Sequence, residues 1–246
     1  MQCTFDPPNG FTPTVQDSLR AMASKAFDAC KLQFSSRDDH AQPHCRFHLG
    51  GFVGNTGDIS GIHLTFSDEK HLSDLTAAAS TLEQLIHHEL VHFFQIHLCG
   101  REPFEYLPKW FYEGMAVAFS GQGLIARNSH MDTDYRRFGG KSGWERFCLM
   151  NQHRDLDFSR PPFDALYDSW GALFIFAVSE QPNIFPNHAV AGSDGFLQAA
   201  VGDAERAKAI AILETAASSG FEAALKKHTH RAQMLESDFR EFLAPD

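Results

Sequence analysis

An α+β fold, with a small sheet near the N-terminus and a mainly helical remainder, is what the order of hydrophobic patterns along these 246 residues predicts. Two observations carry that expectation. Alternation of apolar and polar residues, the signature of half-buried strands, is confined to two neighbouring stretches, "CRFHLGGFVG" and "ISGIHLTFSD". Apolar residues at helical spacing then dominate the sequence to its end.

The elements follow in order. "TPTVQDSLRAMASKAFDACKLQF" places Val15, Leu19, Met22, Phe27 and Leu32 at helical spacing behind a Thr-Pro-Thr start, so it predicts an amphipathic helix. The two alternating stretches, joined by the turn-rich "GNTGD", predict a small antiparallel or mixed sheet. "SDLTAAASTLEQLIHHELVHFFQIHL" predicts one long helix, capped by Ser73 or Asp74 and ending at Cys99-Gly100. "PKWFYEGMAVAFSG" predicts a second helix, with proline near its start and glycine past its end. Residues 121 to 165 read as irregular around one short helix at "GWERFCLM". "DALYDSWGALFIFAVSEQ" and the run from Ala204 to Leu243 supply the remaining helices. A lobe boundary is expected near residue 99, giving an N-terminal lobe over 1–99 and a helical lobe over 100–246 within one catalytic unit.

Composition narrows the chemistry. With 43% hydrophobic residues and 23 phenylalanines the chain can bury a continuous core. A formal charge of −10 argues against nucleic acid or an anionic membrane as partner, since both attract basic faces. No apolar run approaches the roughly 18 residues of a membrane span. "MQCTFDPPNGF" has neither the basic start nor the apolar segment of a signal peptide, so nothing in the chain directs export; compartment and oligomeric state stay open. Cys3, Cys30, Cys45, Cys99 and Cys148 form no C-x-x-C pair. A Cys30–Cys45 disulfide would close a short loop, but isolated buried thiols are the expectation.

The predicted long helix carries the most informative motif, His88-Glu89-Leu90-Val91-His92, an H-E-x-x-H. Residues four apart on a helix share a face, so both imidazoles reach one metal ion from the same side. Two such nitrogens suit a tetrahedral Zn²⁺. Glu89, one step round the helix, is placed to take a proton from an activated water, which is the division of labour for amide hydrolysis. His87 and His97 face elsewhere and are read as surface or supporting residues. A catalytic zinc takes three protein ligands. The extended pattern ending in G-x-x-H is excluded because positions 95 and 98 hold Gln95 and Leu98, whereas the following helix offers Glu113. An unpaired carboxylate in so apolar a helix is expensive to bury, and a metal explains it.

In order, "HELVHFFQ", "PKWFYEGMAVAFSG" and "YDSWGALFIFAVSE" resemble the gluzincin zinc metallopeptidases, most nearly the compact bacterial peptidase-MA-like proteins. That resemblance covers the chain from about residue 60 onward. It implies a zincin-like fold in which His88, His92 and Glu113 bind one zinc ion and Glu89 is the general base and later the proton donor to the leaving amine. It implies a peptide or protein substrate lying along "GIHLTF" as an edge strand. Tyr167 is matched to a tyrosine that hydrogen-bonds the oxyanion, a role for which His130 and His153 compete and against which core packing must be weighed.

Two departures stand out. The acid that orients a zinc histidine in thermolysin-type relatives is replaced by Val117, so Asp164, Asp168 or a backbone carbonyl must accept the histidine N–H. No G-x-M-E-N element for a substrate's free amine occurs, which favours an endopeptidase or a narrow-specificity hydrolase. Competing readings are an inactive metallopeptidase relative serving as a binding module, a non-haem iron oxygenase using the same two histidines and carboxylate, and hydrolysis of a non-peptide bond.

Overall fold

The computed structural model describes residues 1–34, 42–51, 54–77, 79–122, 163–179, 189–191, 197–199, 201–229 and 237–239. The chain divides into two compact units, Met1–His97 and Leu98–Asp246. The first is α+β around a four-stranded mixed sheet and the second is mostly helical.

In the first unit, β1 (Gln2–Asp6) leads to α1 (Pro13–Gln33), then β2 (His44–Leu49), β3 (Asn55–Asp58), β4 (Gly61–Phe66), α2 (Glu69–Ala77) and α3 (Ala79–Cys99), whose last two residues pass into the second unit. Thr12 caps α1, its hydroxyl accepting from the Val15 N–H at 3.3 Å, and Pro13 sits where its missing N–H costs nothing.

The sheet order is β1-β2-β4-β3, with β1, β2 and β4 parallel and β3 antiparallel to β4. This corrects the expected hairpin in two ways. The two alternating stretches, β2 and β4, are parallel neighbours, and the "GNTGD" segment read as their turn is itself strand β3. The outer strands are therefore β1 and β3, while "GIHLTF" lies inside the sheet between β2 and β3. The physical reason is that alternation fixes which face a residue takes and leaves the partner strand open. A short edge strand also needs few strong β-formers. The true reverse turn is Ile59–Ser60, where the Asp58 carboxylate accepts from the Ser60 backbone N–H at 2.6 Å.

Cys45, Phe47, Ile62, Leu64 and Phe66 bury one face of the sheet, together with Leu19, Ala23, Phe27 and Cys30 of α1 and Leu82, Ile86, Leu90, Phe93 and Phe94 of α3. Phe94 meets Phe27 at 5.7 Å and Phe34 at 5.2 Å between ring centroids, joining α1 to α3. Each such side chain removed from water contributes roughly 1.5–3 kcal/mol, so α3 is held by its apolar faces despite its polar nitrogens. Ser73 and Asp74, the expected caps of one long helix, lie inside α2.

The second unit contains α4 (Arg101–Glu105), α5 (Lys109–Ser120), α6 (Phe163–Val178), a two-stranded antiparallel ribbon of β5 (Ala189–Ala191) and β6 (Leu197–Ala199), α7 (Asp203–Ser219) and α8 (Phe221–His228). Pro108 precedes α5 and Gly121 ends it in the left-handed conformation, φ 72°, as the sequence predicts. α5 packs on α6 at very close range. A Cβ built on Gly114 would lie 2.3 Å from the Trp170 carbonyl oxygen, and one on Gly171 would lie 2.7 Å from a Val117 methyl. Phe221 of α8 covers Trp110 and Phe111 at 5.6 and 4.9 Å. No helix among the described residues is long and apolar enough to cross a membrane. The expected helix at 143–150 lies outside the described residues.

Candidate metal centre

His88 and His92 lie one turn apart on α3, both buried, with ring centroids 4.9 Å apart and planes at 85°. The helix presents them together because its other faces are anchored by Ile86, Leu90, Val91, Phe93 and Phe94. Strand β3 crosses the same stretch. A Cβ on Gly57 would stand 2.1 Å from the Glu89 carbonyl oxygen and 2.8 Å from the His92 Cβ, so only glycine permits this approach.

His88 and His92 of the first unit and Glu113 of the second are all buried, and the three are a group that could hold a metal ion. Two imidazole nitrogens and one carboxylate oxygen are a donor set that divalent transition metals accept. Glu89 is 6% exposed and Glu113 4%, so both carboxylates are buried. Positive charge must balance them. Lys109, fully buried one turn before Glu113, places its Nζ 3.9 Å from Glu113 Oε1, within ion-pair range but beyond a good hydrogen bond.

The sequence left the orienting partner of the candidate ligand histidines open among Asp164, Asp168 and a backbone carbonyl. For His92 the partner is Gln95: the His92 Nδ1–H donates to Gln95 Oε1 at 2.8 Å, and Gln95 is wholly buried. With Nδ1 engaged, Nε2 carries the lone pair that a metal needs. The signal was present in the sequence as an amide three residues after a histidine in an apolar run, a spacing that places the two side chains on one face. Val117 has a different task, filling the space opposite Gly171. The side chains of Asp164 and Asp168 lie outside the described residues.

Of the other histidines of α3, His87 donates from Nε2 to Gln33 Oε1 at 2.8 Å, and burial pushes its pKa down to about 4. His97 donates to the Ile59 carbonyl at 3.1 Å and rests on Phe93 at 4.3 Å. Neither belongs to the ligand group. Tyr167, in the first turns of α6, is half-buried with its ring 5.2 Å from that of Trp170. His130 and His153 lie outside the described residues. Compared with protein-family models, with curated proteins and with solved structures, the chain gives no match, so the functional reading rests on these residues and their geometry.

Proposed function

We propose that this protein is a zinc-dependent metallopeptidase, an endopeptidase or narrow-specificity hydrolase of the gluzincin type, with a zincin-like fold. The observation that carries the reading is the set of buried donors His88, His92 and Glu113, which could hold a metal ion, with buried Glu89 next to His88 in the chain. His88 and His92 would supply two imidazole ligands and Glu113 the third. When bound, the ion supplies Lewis acidity, lowering the pKa of a coordinated water and polarising the scissile carbonyl. Glu89 takes the proton of the attacking water on its carboxylate and passes it to the amine leaving group. Its burial keeps bulk water from competing for that proton. Gln95 holds the His92 ring in the tautomer that keeps Nε2 free. Tyr167 is the candidate hydrogen-bond donor to the developing oxyanion.

The test pairs zinc content with cleavage of a proteome-derived peptide library. Wild type is expected to bind about one zinc per chain and to cleave. Glu89→Gln should retain the zinc while losing on the order of 10²–10⁴-fold in rate. Full cleavage by that variant refutes the assignment of Glu89, and a wild type that binds no zinc refutes the whole reading. A second reading, a metal-binding but inactive relative, is favoured by Val117, which occupies the position of an orienting acid with a packing residue. Stoichiometric zinc without cleavage of any library peptide supports that alternative.

A further inference from the structure

Away from the histidine helix, two thiols that the proposed hydrolysis does not use are placed side by side. Cys3 on β1 and Cys45 on β2 are direct partners in the parallel register. Register partners in a parallel pair project from the same face of the sheet. The next pair on that face, Phe5 and Phe47, stacks at 5.4 Å between centroids, which shows how closely side chains of the two strands approach here. Neighbouring strands run about 4.7–4.9 Å apart, inside the roughly 4.4–6.8 Å Cα separation that a disulfide spans.

We infer that Cys3 and Cys45 form a reversible redox pair, closed to a cross-strand disulfide by exchange with a low-molecular-weight disulfide of the glutathione class.

The two members are unequal in a way that assigns their roles. Cys3 is partly exposed, and its thiol is held below the ordinary range by the Cys45 hydrogen bond and then by the guanidinium of Arg20, which stands 4.9 Å over the neighbouring Phe5 ring. Cys45 is wholly buried, and its thiol is pushed up by the same hydrogen bond and by burial. Cys3 is therefore the attacking sulfur. Its thiolate attacks one sulfur of oxidised glutathione, the glutathione S–S bond breaks, and one glutathione leaves as thiolate and takes a proton from water. Cys45 then gives up its proton to solvent and attacks the Cys3 sulfur. The Cys3–Cys45 bond forms as the second glutathione departs. The cysteine pair loses two electrons and the glutathione disulfide gains them. Cys30 and Cys99 stay outside this chemistry because both are buried, with burial raising Cys99 to about 11 and Cys30 well above its ordinary value. Closing the pair ties β1, an outer strand, covalently to the sheet.

The experiment treats the folded full chain with oxidised glutathione, blocks remaining thiols and reads intact mass and a non-reducing peptide map. Wild type is expected to lose two hydrogens, to yield one cross-linked pair of peptides containing Cys3 and Cys45, and to recover fully with dithiothreitol. Cys45→Ala should instead accumulate a single glutathione on Cys3. Should that variant fail to fold, Cys3→Ala serves, and Cys45 in it is expected to stay unmodified. Persistence of both free thiols in wild type, a stable glutathione adduct on Cys3 in wild type, or a cross-link from either residue to Cys30, Cys99 or Cys148 would overturn the inference.

Discussion

Replacing Gly57 by alanine tests whether the edge strand and the histidine helix are joined as closely as the structure has them. The added Cβ would fall 2.1 Å from the Glu89 carbonyl oxygen, where side-chain carbons come no nearer than about 3.0 Å, so something must yield by at least 3.0 − 2.1 = 0.9 Å. The helix cannot give easily, because Leu90 and Val91 are wholly buried and Phe94 is wedged between Phe27 and Phe34. The strand would then have to retreat from β4 or the helix tilt. Overpacking of this kind costs about 1–3 kcal/mol. For a chain of this length that lowers Tm by roughly 2–12 °C. The methyl would also lie 2.8 Å from the His92 Cβ, so the imidazole shifts and zinc affinity should drop about 10–100-fold, as it does when a ligand's support is disturbed. Gly54→Ala is the control, since nothing lies within 4 Å of a Cβ there. The assays are differential scanning calorimetry and zinc titration against a chromophoric chelator. A Gly57→Ala protein with the Tm and zinc affinity of wild type would refute the packing of β3 on α3 at Glu89.

Other substitutions probe the remaining links. Gln95→Ala strands the His92 Nδ1–H in a buried site and should weaken zinc binding about 10–100-fold, whereas Gln95→Glu, which keeps an acceptor there, should hold it; equal affinity in all three proteins removes Gln95 from the centre. His87, depressed to about 4 from 6.5 by burial, takes a proton in the unfolded chain first, so its contribution is complete above pH 6.5 and is lost as pH falls towards 4. By about pH 5 this amounts to on the order of 2 kcal/mol, and urea titrations of His87→Gln should show a correspondingly shallower loss between about pH 7 and 5. Gly114→Ala drives a methyl to 2.3 Å from the Trp170 carbonyl and should lower the denaturant midpoint by the equivalent of about 1–3 kcal/mol; a neutral result would mean that α5 and α6 do not meet there.

Periodicity made α1 and α5 legible, because each carries an apolar stripe with a cap or breaker at its ends, and it marked the end of the histidine helix at Cys99-Gly100 but not its start at Ala79. It did not disclose β1, whose "QCTFD" is too short to stand out, nor β3, whose Asn-Thr-Gly-Asp reads as a turn. The ligand candidates His88, His92 and Glu113 were readable as spacing and as an unexplained carboxylate in an apolar helix. The i+3 spacing puts Gln95 on the same face as His92, but a spacing alone does not say that the two side chains meet; the 2.8 Å hydrogen bond does.

The sequence by itself determined which residues can share a helix face and which side chains carry metal-binding chemistry, since these depend on local spacing. Which strands pair, that Gly57 must lack a side chain, that Gln95 answers His92 and that Cys3 meets Cys45 were decided only by the tertiary structure. Each of these depends on residues, or on side-chain geometry, brought together by the packing of the whole unit, and no local pattern encodes the partner.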